Sequence, residues 1–232
     1  QMRYRVYTLE SNLLAYRRQH ILKNARLYLV TAPAPDLLAR VEAALIGGLT
    51  LVQYRDKQSN DIDRLAMAQQ MCQLCHNYGA LFILNDRVDL ALAVNADGVH
   101  LGQQDVSIAL ARQILGSQRI VGRSTTNPTE MAKAIEEGAD YIGVGPVYET
   151  PTKAGKKAAG LEYVQHAAKH ATIPWFAIGG IDSSNIDDVL QAGAPAIAIV
   201  RAIMGADNPT HAVQFCLSIL NRIVPVNKAR DL

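Results

Sequence analysis

Between residues 138 and 160 the chain reads GADYIGVGPVYETPTKAGKKAAG. Thr150, Thr152 and Lys153 fall within four residues, and Lys156 and Lys157 follow. Two hydroxyls beside lysines suit an anionic ligand. Gly143, Gly145 and Gly155 have no side chains to keep phosphate oxygens away from backbone N–H groups. A solvated basic loop has the same composition, so this stretch alone does not decide. Other stretches supply matching pieces. QYRDK places Gln53, Arg55 and Lys57 at every second position, one face of an extended segment. Two cations and an amide turned inward carry a desolvation cost that a bound anion would offset. NDR supplies Asn85, Asp86 and Arg87; HLGQQD supplies His100, Gln103, Gln104 and Asp105. If these stretches end adjacent strands, Asp86 and Asp105 are neighbours, and two carboxylates beside cations suit Mg2+. Taken singly, each aspartate reads as a helix cap rather than a ligand, and Asp89 and Asp97 read as helix-start and turn acids. GRST supplies Ser124 and Thr125. In AIGGID and AIVRAI, Gly179–Gly180 and a helix start after Val200 could turn backbone N–H groups toward a second anion. Two anion sites, one of side chains with a metal and one of backbone, call for two phosphorylated substrates or one long diphosphate. His100, His166, His170 and His211 do not have zinc-ligand spacing.

These groups need a frame that gathers strand ends. Short apolar runs occur at Leu27–Val30, Leu49–Tyr54, Leu81–Leu84, Gly98–Leu101, Ile120–Gly122, Tyr141–Val144, Trp175–Ile178 and Ala196–Val200. Helical patterns lie between them, near 36–46, 61–78, 87–94, 106–115, 128–137, 161–170 and 184–192, with a last one near 210–223. Asn60, Asn127 and Ser184 stand where helix N-caps belong, and Pro128 suits a first helical position. Gly47, Gly79, Gly138 and Gly193 punctuate helix ends. Strict alternation implies parallel strands with helical crossovers, and eight such units predict a (β/α)8 TIM barrel in the α/β class. NADGVHLG, EGADYIGVG and AGAPAIAIV echo one another before three of the strands. A doubly wound open sheet is the alternative, but TAPAPD follows the first strand where GxGxxG would be expected.

Residues 1–24 form an amphipathic helical extension or connector, residues 25–223 the barrel and residues 224–232 a tail. The extension lies outside the eight-unit pattern and is expected to be dispensable for chemistry. Residues 1–26 carry six Lys/Arg and one Glu, which leaves −3 on the remainder of a chain whose net charge is +2. So small a net charge excludes nucleic acid as a global partner. No apolar run reaches the roughly 18 residues that span a bilayer. Cys72 and Cys75 sit mid-helix among apolar neighbours and read as packing. An odd, sparse cysteine count fits a reducing cytosol, hence a cytoplasmic protein. The chain opens at Gln1, not Met, which fits a piece of a longer protein with an upstream domain. A homodimer is left open.

In order and spacing, QYRDK, NDRVDLALAVNADGVHLGQQD, GPVYETPTK, IGGI and AGAPAIAIVRAI resemble the thiamine phosphate synthase family across roughly residues 26–222. The resemblance implies a transferase of thiamine biosynthesis that joins hydroxymethylpyrimidine diphosphate to a thiazole phosphate and releases diphosphate. It implies that Gln53, Tyr54, Arg55, Asp56, Lys57, Asn85, Ser124 and Lys153 hold the pyrimidine diphosphate. Arg55, Lys57, Ser124 and Lys153 would act in the reaction. Asp86 and Asp105 would bind Mg2+. Thr150, Pro151, Thr152, Gly180, Val200 and Arg201 would hold the thiazole phosphate. Arg201 stands where the family pattern has Ser. A related thiazole tautomerase shares the barrel and the GRS stretch, but it handles no diphosphate and lacks the aspartate pair. A non-enzymatic phosphate-ligand sensor would have no use for metal ligands beside a cation cluster.

Overall fold

The computed structural model describes residues 2–150 and 157–222. Eight strands pair in parallel in sequence order: β1 (Leu27–Val30), β2 (Leu51–Tyr54), β3 (Leu81–Asn85), β4 (Gly98–Leu101), β5 (Ile120–Thr125), β6 (Tyr141–Val144), β7 (Trp175–Ile178) and β8 (Ile197–Ile199). β8 closes on β1, with Leu27 opposite Ile197. The fold is therefore a (β/α)8 TIM barrel, and the open sheet is excluded. Helices α1 (Met2–Asn24), α2 (Leu37–Ile46), α3 (Asp61–Asn77), α4 (Val88–Ala93), α5 (Ile108–Leu115), α6 (Pro128–Glu136), α7 (Gly160–His170), α8 (Ile186–Gln191), α9 (Arg201–Met204) and α10 (Pro209–Arg222) complete the described elements.

Each strand is buried on both sides, and its alternate residues serve two separate cores. Outward residues such as Val52, Phe82, Leu84, Val99, Val121 and Ile142 pack under the helices. Inward residues Tyr28, Leu51, Ile83, Ile120, Tyr141, Phe176 and Ala198 fill the barrel. Tyr28, Tyr141 and Phe176 meet edge to face or tilted, with centroids 5.1–5.8 Å apart, which aligns ring edges with ring faces. Gly122 makes room for this cluster: a Cβ there would lie 2.2 Å from the Tyr141 ring.

The N-terminal ends of the strands form a closed floor. Leu22 of α1 is buried in the inner core, and Arg18 donates to Asp140 at 2.8 Å and also to the Ser117 carbonyl. The sequence echo has a physical basis here. Asp97 and Asp140 each precede a strand, and each accepts the N–H of the second residue of the strand before, Phe82 and Val121 respectively, at 2.8 Å. In the third copy Pro195 takes this position, and its carbonyl accepts from Arg26.

Asn60 and Asn127 cap α3 and α6 as expected. Ser184 does not cap α8; its N–H and hydroxyl both go to Asp182, and Asn185 holds the cap position. Strand β5 runs three residues beyond Gly122, so Ser124 lies within the sheet, opposite Gly143.

Candidate active site

At the carboxyl ends of β3 and β4 two carboxylates meet. Asp86 follows β3 in a left-handed conformation, φ 62°, which few non-glycine residues adopt and which Asp tolerates better than most. Its N–H is held by the His100 carbonyl at 2.9 Å. Asp105 follows β4 and accepts the Gly102 N–H at 2.6 Å, while Ser107 caps α5. Asp105 is therefore not the helix cap. Burial pushes the Asp86 carboxyl up, but hydrogen bonds with Asp105 and Lys57 outweigh it and hold Asp86 below the ordinary carboxylate range. Burial, then the bond to Asp86, pushes Asp105 up. The two carboxyls are thus pushed apart, Asp86 down and Asp105 up. Lys57 Nζ lies 3.0 Å from Asp86 Oδ2. A hard divalent cation suits two half-buried carboxylates set side by side. Among the described residues no group of three or more His, Cys, Asp or Glu is placed to hold a metal ion.

Below this cluster a run of hydrogen-bonding side chains crosses the otherwise apolar barrel interior. Gln53 donates to Tyr28, and a run of hydrogen bonds continues through Tyr141 and His100 to Ser124. Gln103 donates to the Ser124 carbonyl at 2.6 Å, and Thr31 accepts the Arg55 N–H at 2.9 Å. On the far side of the barrel mouth lies a cavity of about 260 Å³, lined by Thr150, Gly180, Val200 and Arg201 among others. Gly180 has φ 68°, and a Cβ there would lie 2.7 Å from Tyr148 Cβ. Only glycine brings the backbone around at that wall.

A family model described as thiamine monophosphate synthase matches residues 27–203. The chain belongs to the thiamine monophosphate synthase family. It is 66% identical over 225 residues to a thiamine-phosphate synthase of Nostoc punctiforme, covering 97% of this chain and 64% of that one. It is 64% identical over 225 residues to one of Synechocystis sp., covering 97% of this chain and 66% of that one. The chain thus spans about two thirds, or slightly less, of the length of these relatives. A solved thiamine phosphate pyrophosphorylase from Pyrococcus furiosus superposes with TM-score 0.80 at 35% identity, covering 87% of this chain and 98% of that chain.

Against the synthase-family pattern, the structure gathers Gln53, Lys57, Asn85, Asp86, Asp105 and Ser124 at or near the carboxyl ends of β2 to β5. It places Thr150, Gly180, Val200 and Arg201 around the cavity. Pro151, Thr152, Lys153, Gly155 and Lys156 lie outside the described residues. Gln53, Arg55 and Lys57 do not share one extended face, because β2 ends at Tyr54 and the two cations stand on the loop. Tyr54 packs in the outer core and donates to Asp56. Asp56 also accepts the N–H groups of Gln58 and Ser59, so both residues build the loop. Arg87 pairs with Asp61 and Asp89. Arg201 is exposed, and its charge helps hold Asp182 below the ordinary carboxylate range, after the hydrogen bonds from Ser184. Tyr28 and Tyr141 carry inward hydroxyls that the motif reading missed. The signal was present: LYLV and YIGV each contain a phenol inside an otherwise apolar strand. A buried phenol calls for a hydrogen-bond partner.

Proposed function

We propose that the chain catalyses the synthase reaction, joining hydroxymethylpyrimidine diphosphate to a thiazole phosphate to give thiamine phosphate and diphosphate. One observation carries this reading: the Asp86–Asp105 pair, with the Lys57 ammonium 3.0 Å from Asp86, at the mouth of a barrel whose interior offers hydrogen-bonding groups. A tautomerase or a phosphate sensor has no need of such a pair.

The bond from the pyrimidine methylene carbon to the diphosphate oxygen breaks, and the thiazole nitrogen supplies the electron pair for the new carbon–nitrogen bond. The aminopyrimidine donates electrons into the methylene carbon, which favours bond breaking before attack. Mg2+, held by Asp86 and Asp105, would neutralise charge on the diphosphate oxygens. Lys57 and Arg55 stand on the β2 loop where that leaving group would lie, and Lys153 is assigned the same role by its motif. Gln53, Asn85 and Ser124 orient the pyrimidine. Thr150 and the backbone at Gly180, Val200 and Arg201 hold the thiazole phosphate on the cavity side, so the two substrates approach from opposite sides of the mouth. No covalent nucleophile is required.

The purified chain, given both substrates and Mg2+, is expected to release diphosphate in step with thiamine phosphate. With either substrate alone it should release little. A folded chain that forms neither product would overturn the reading.

A further inference from the structure

Four consecutive hydrogen bonds cross the inside of the barrel. Gln53 Nε2 donates to Tyr28 Oη at 2.6 Å, and Tyr28 Oη lies 2.8 Å from Tyr141 Oη. Tyr141 Oη lies 2.9 Å from His100 Nδ1, and His100 Nε2 lies 2.8 Å from Ser124 Oγ. Gln53, Tyr28, Tyr141 and His100 are all buried. Both ring nitrogens of His100 have partners, which fixes the ring's orientation. Each hydroxyl in the run has one proton, so the direction of one bond dictates the next. Tyr28, having accepted from Gln53, passes its proton to Tyr141. Tyr141 passes its own to His100 Nδ1. The ring must then carry its proton on Nε2 and donate it to Ser124. The serine, having accepted, keeps its own proton free to point elsewhere. Burial raises both phenols well above their ordinary range, so these links are neutral hydroxyls.

We propose that this run couples Gln53 to Ser124 and fixes them with opposite polarity: Gln53 keeps its carbonyl oxygen as an acceptor, and Ser124 keeps its hydroxyl proton as a donor. Such a pair selects a heterocycle with an N–H donor and a ring-nitrogen acceptor, as an aminopyrimidine has. This identification of the ligand rests on the proposed function; the polarity does not. Tyr28, Tyr141 and His100 are positioning residues that act through the two ends. The reverse polarity, with Gln53 turned over and Ser124 donating inward, would place the ring proton on Nδ1.

The test is ¹⁵N NMR of the histidine rings in the labelled full chain, with the His100 signals assigned by their loss in His100→Asn. A neutral ring protonated on Nε2 is expected. A proton on Nδ1, alone or in a mixture, overturns the proposal. Tyr141→Phe removes the donor to Nδ1 and should give mixed tautomers; a ring that stays wholly Nε2–H overturns the coupling. Tyr28→Phe cuts the link to Gln53 and leaves Tyr141 free to donate or accept, so it too should give mixed tautomers; a ring that stays wholly Nε2–H would show that Gln53 does not set the direction and overturns the coupling. In turnover assays Tyr141→Phe should raise KM for the pyrimidine diphosphate about tenfold, the size of a lost hydrogen bond, and leave KM for the thiazole phosphate within about twofold. The tautomer is read without turnover, so a failure of the reaction and a failure of the polarity show up separately.

Discussion

Two buried or half-buried acidic clusters stand at opposite ends of this barrel, and they are balanced differently. At the floor a single carboxylate, Asp140, takes Arg18 at 2.8 Å, Arg112 at 2.7 Å and the Val121 N–H at 2.8 Å. At the mouth two carboxyls meet, and among the described residues the ammonium paired with them is Lys57, 3.0 Å from Asp86. The floor cluster is complete, with every oxygen engaged by groups that belong to the fold. The mouth cluster has two carboxyls against that one ammonium, the imbalance on which the proposed Mg2+ site rests. Residue type does not separate the two. Position on the barrel and the number of partners do, which matches the general division between a stabilising N-terminal face and a reactive C-terminal face.

The sharpest way to break this comparison is to remove charge at each end. Asp140→Asn leaves two guanidiniums beside an amide and should cost about 3–5 kcal/mol of folding stability, the usual result of removing one partner from a buried ion pair. Calorimetric or denaturant unfolding would show it, with kcat unchanged in the folded fraction. A loss under about 1 kcal/mol would mean that the floor cluster contributes no more than a surface pair. At the mouth the main loss should be of activity. Asp86→Asn and Asp105→Asn should each lower turnover by about 10²–10³. Stability should hold or rise for Asp105→Asn, whose carboxyl is pushed up by folding, and fall modestly for Asp86→Asn, whose ionised form is paired with Lys57. Added Mg2+ with diphosphate should raise the Tm of the parent chain and not of either variant. Equal Mg2+ response in all three would remove the metal assignment.

Most of the frame was legible because the period of apolar residues reports directly on strands and crossovers. Six of the eight strands begin where the apolar runs begin. The errors came where backbone pairing, not side-chain type, decides. β5 extends through Arg123, Ser124 and Thr125 because Gly143 and Val144 of β6 pair with its end. Lys57 was readable as a site residue but not as a partner of Asp86, since β2 stops before it. Tyr54 shares the QYRDK motif with site residues yet faces the outer core, because successive residues of a strand face opposite sides, and Asp56, past the end of β2, binds the N–H groups of its own loop. The inner hydrogen-bond run joins five residues from different strands, and no local pattern announces a contact between residues 28 and 141.

Between floor and mouth, Gly122 offers a smaller perturbation. Gly122→Ala would set a methyl 2.2 Å from the Tyr141 ring, and that ring is walled in by Tyr28 and Phe176. Overpacking of this kind costs about 1–3 kcal/mol. If the floor and mouth are separable, the loss of stability should come with a raised KM for the pyrimidine substrate, because Tyr141 moves. A stability loss with unchanged KM would show that the Tyr141 ring is only packing.

The smallest effect is expected at Arg201, where the chain departs from the family's serine. Arg201 opens α9 beside the cavity, and its side chain is exposed. Its charge is felt by Asp182, itself exposed. Exposed charges interact weakly, typically by about 0–1 kcal/mol, because water and salt screen them. If the backbone at this corner is what holds the thiazole phosphate, Arg201→Ser should change KM for that substrate by less than about threefold. The small change should shrink further at high salt, as it does for any solvated cation acting at a distance. An inward guanidinium would behave otherwise. It would make charge-assisted hydrogen bonds to the phosphate, and its loss would raise KM by tenfold or more, on the order of 1.5–3 kcal/mol, with little relief from salt. Titrating thiazole phosphate against both proteins at two ionic strengths separates the cases. A large, salt-insensitive rise would mean that this end of the mouth recognises phosphate by side-chain charge, as proposed for the opposite end, and that the backbone cradle at Gly180 and Val200 is secondary.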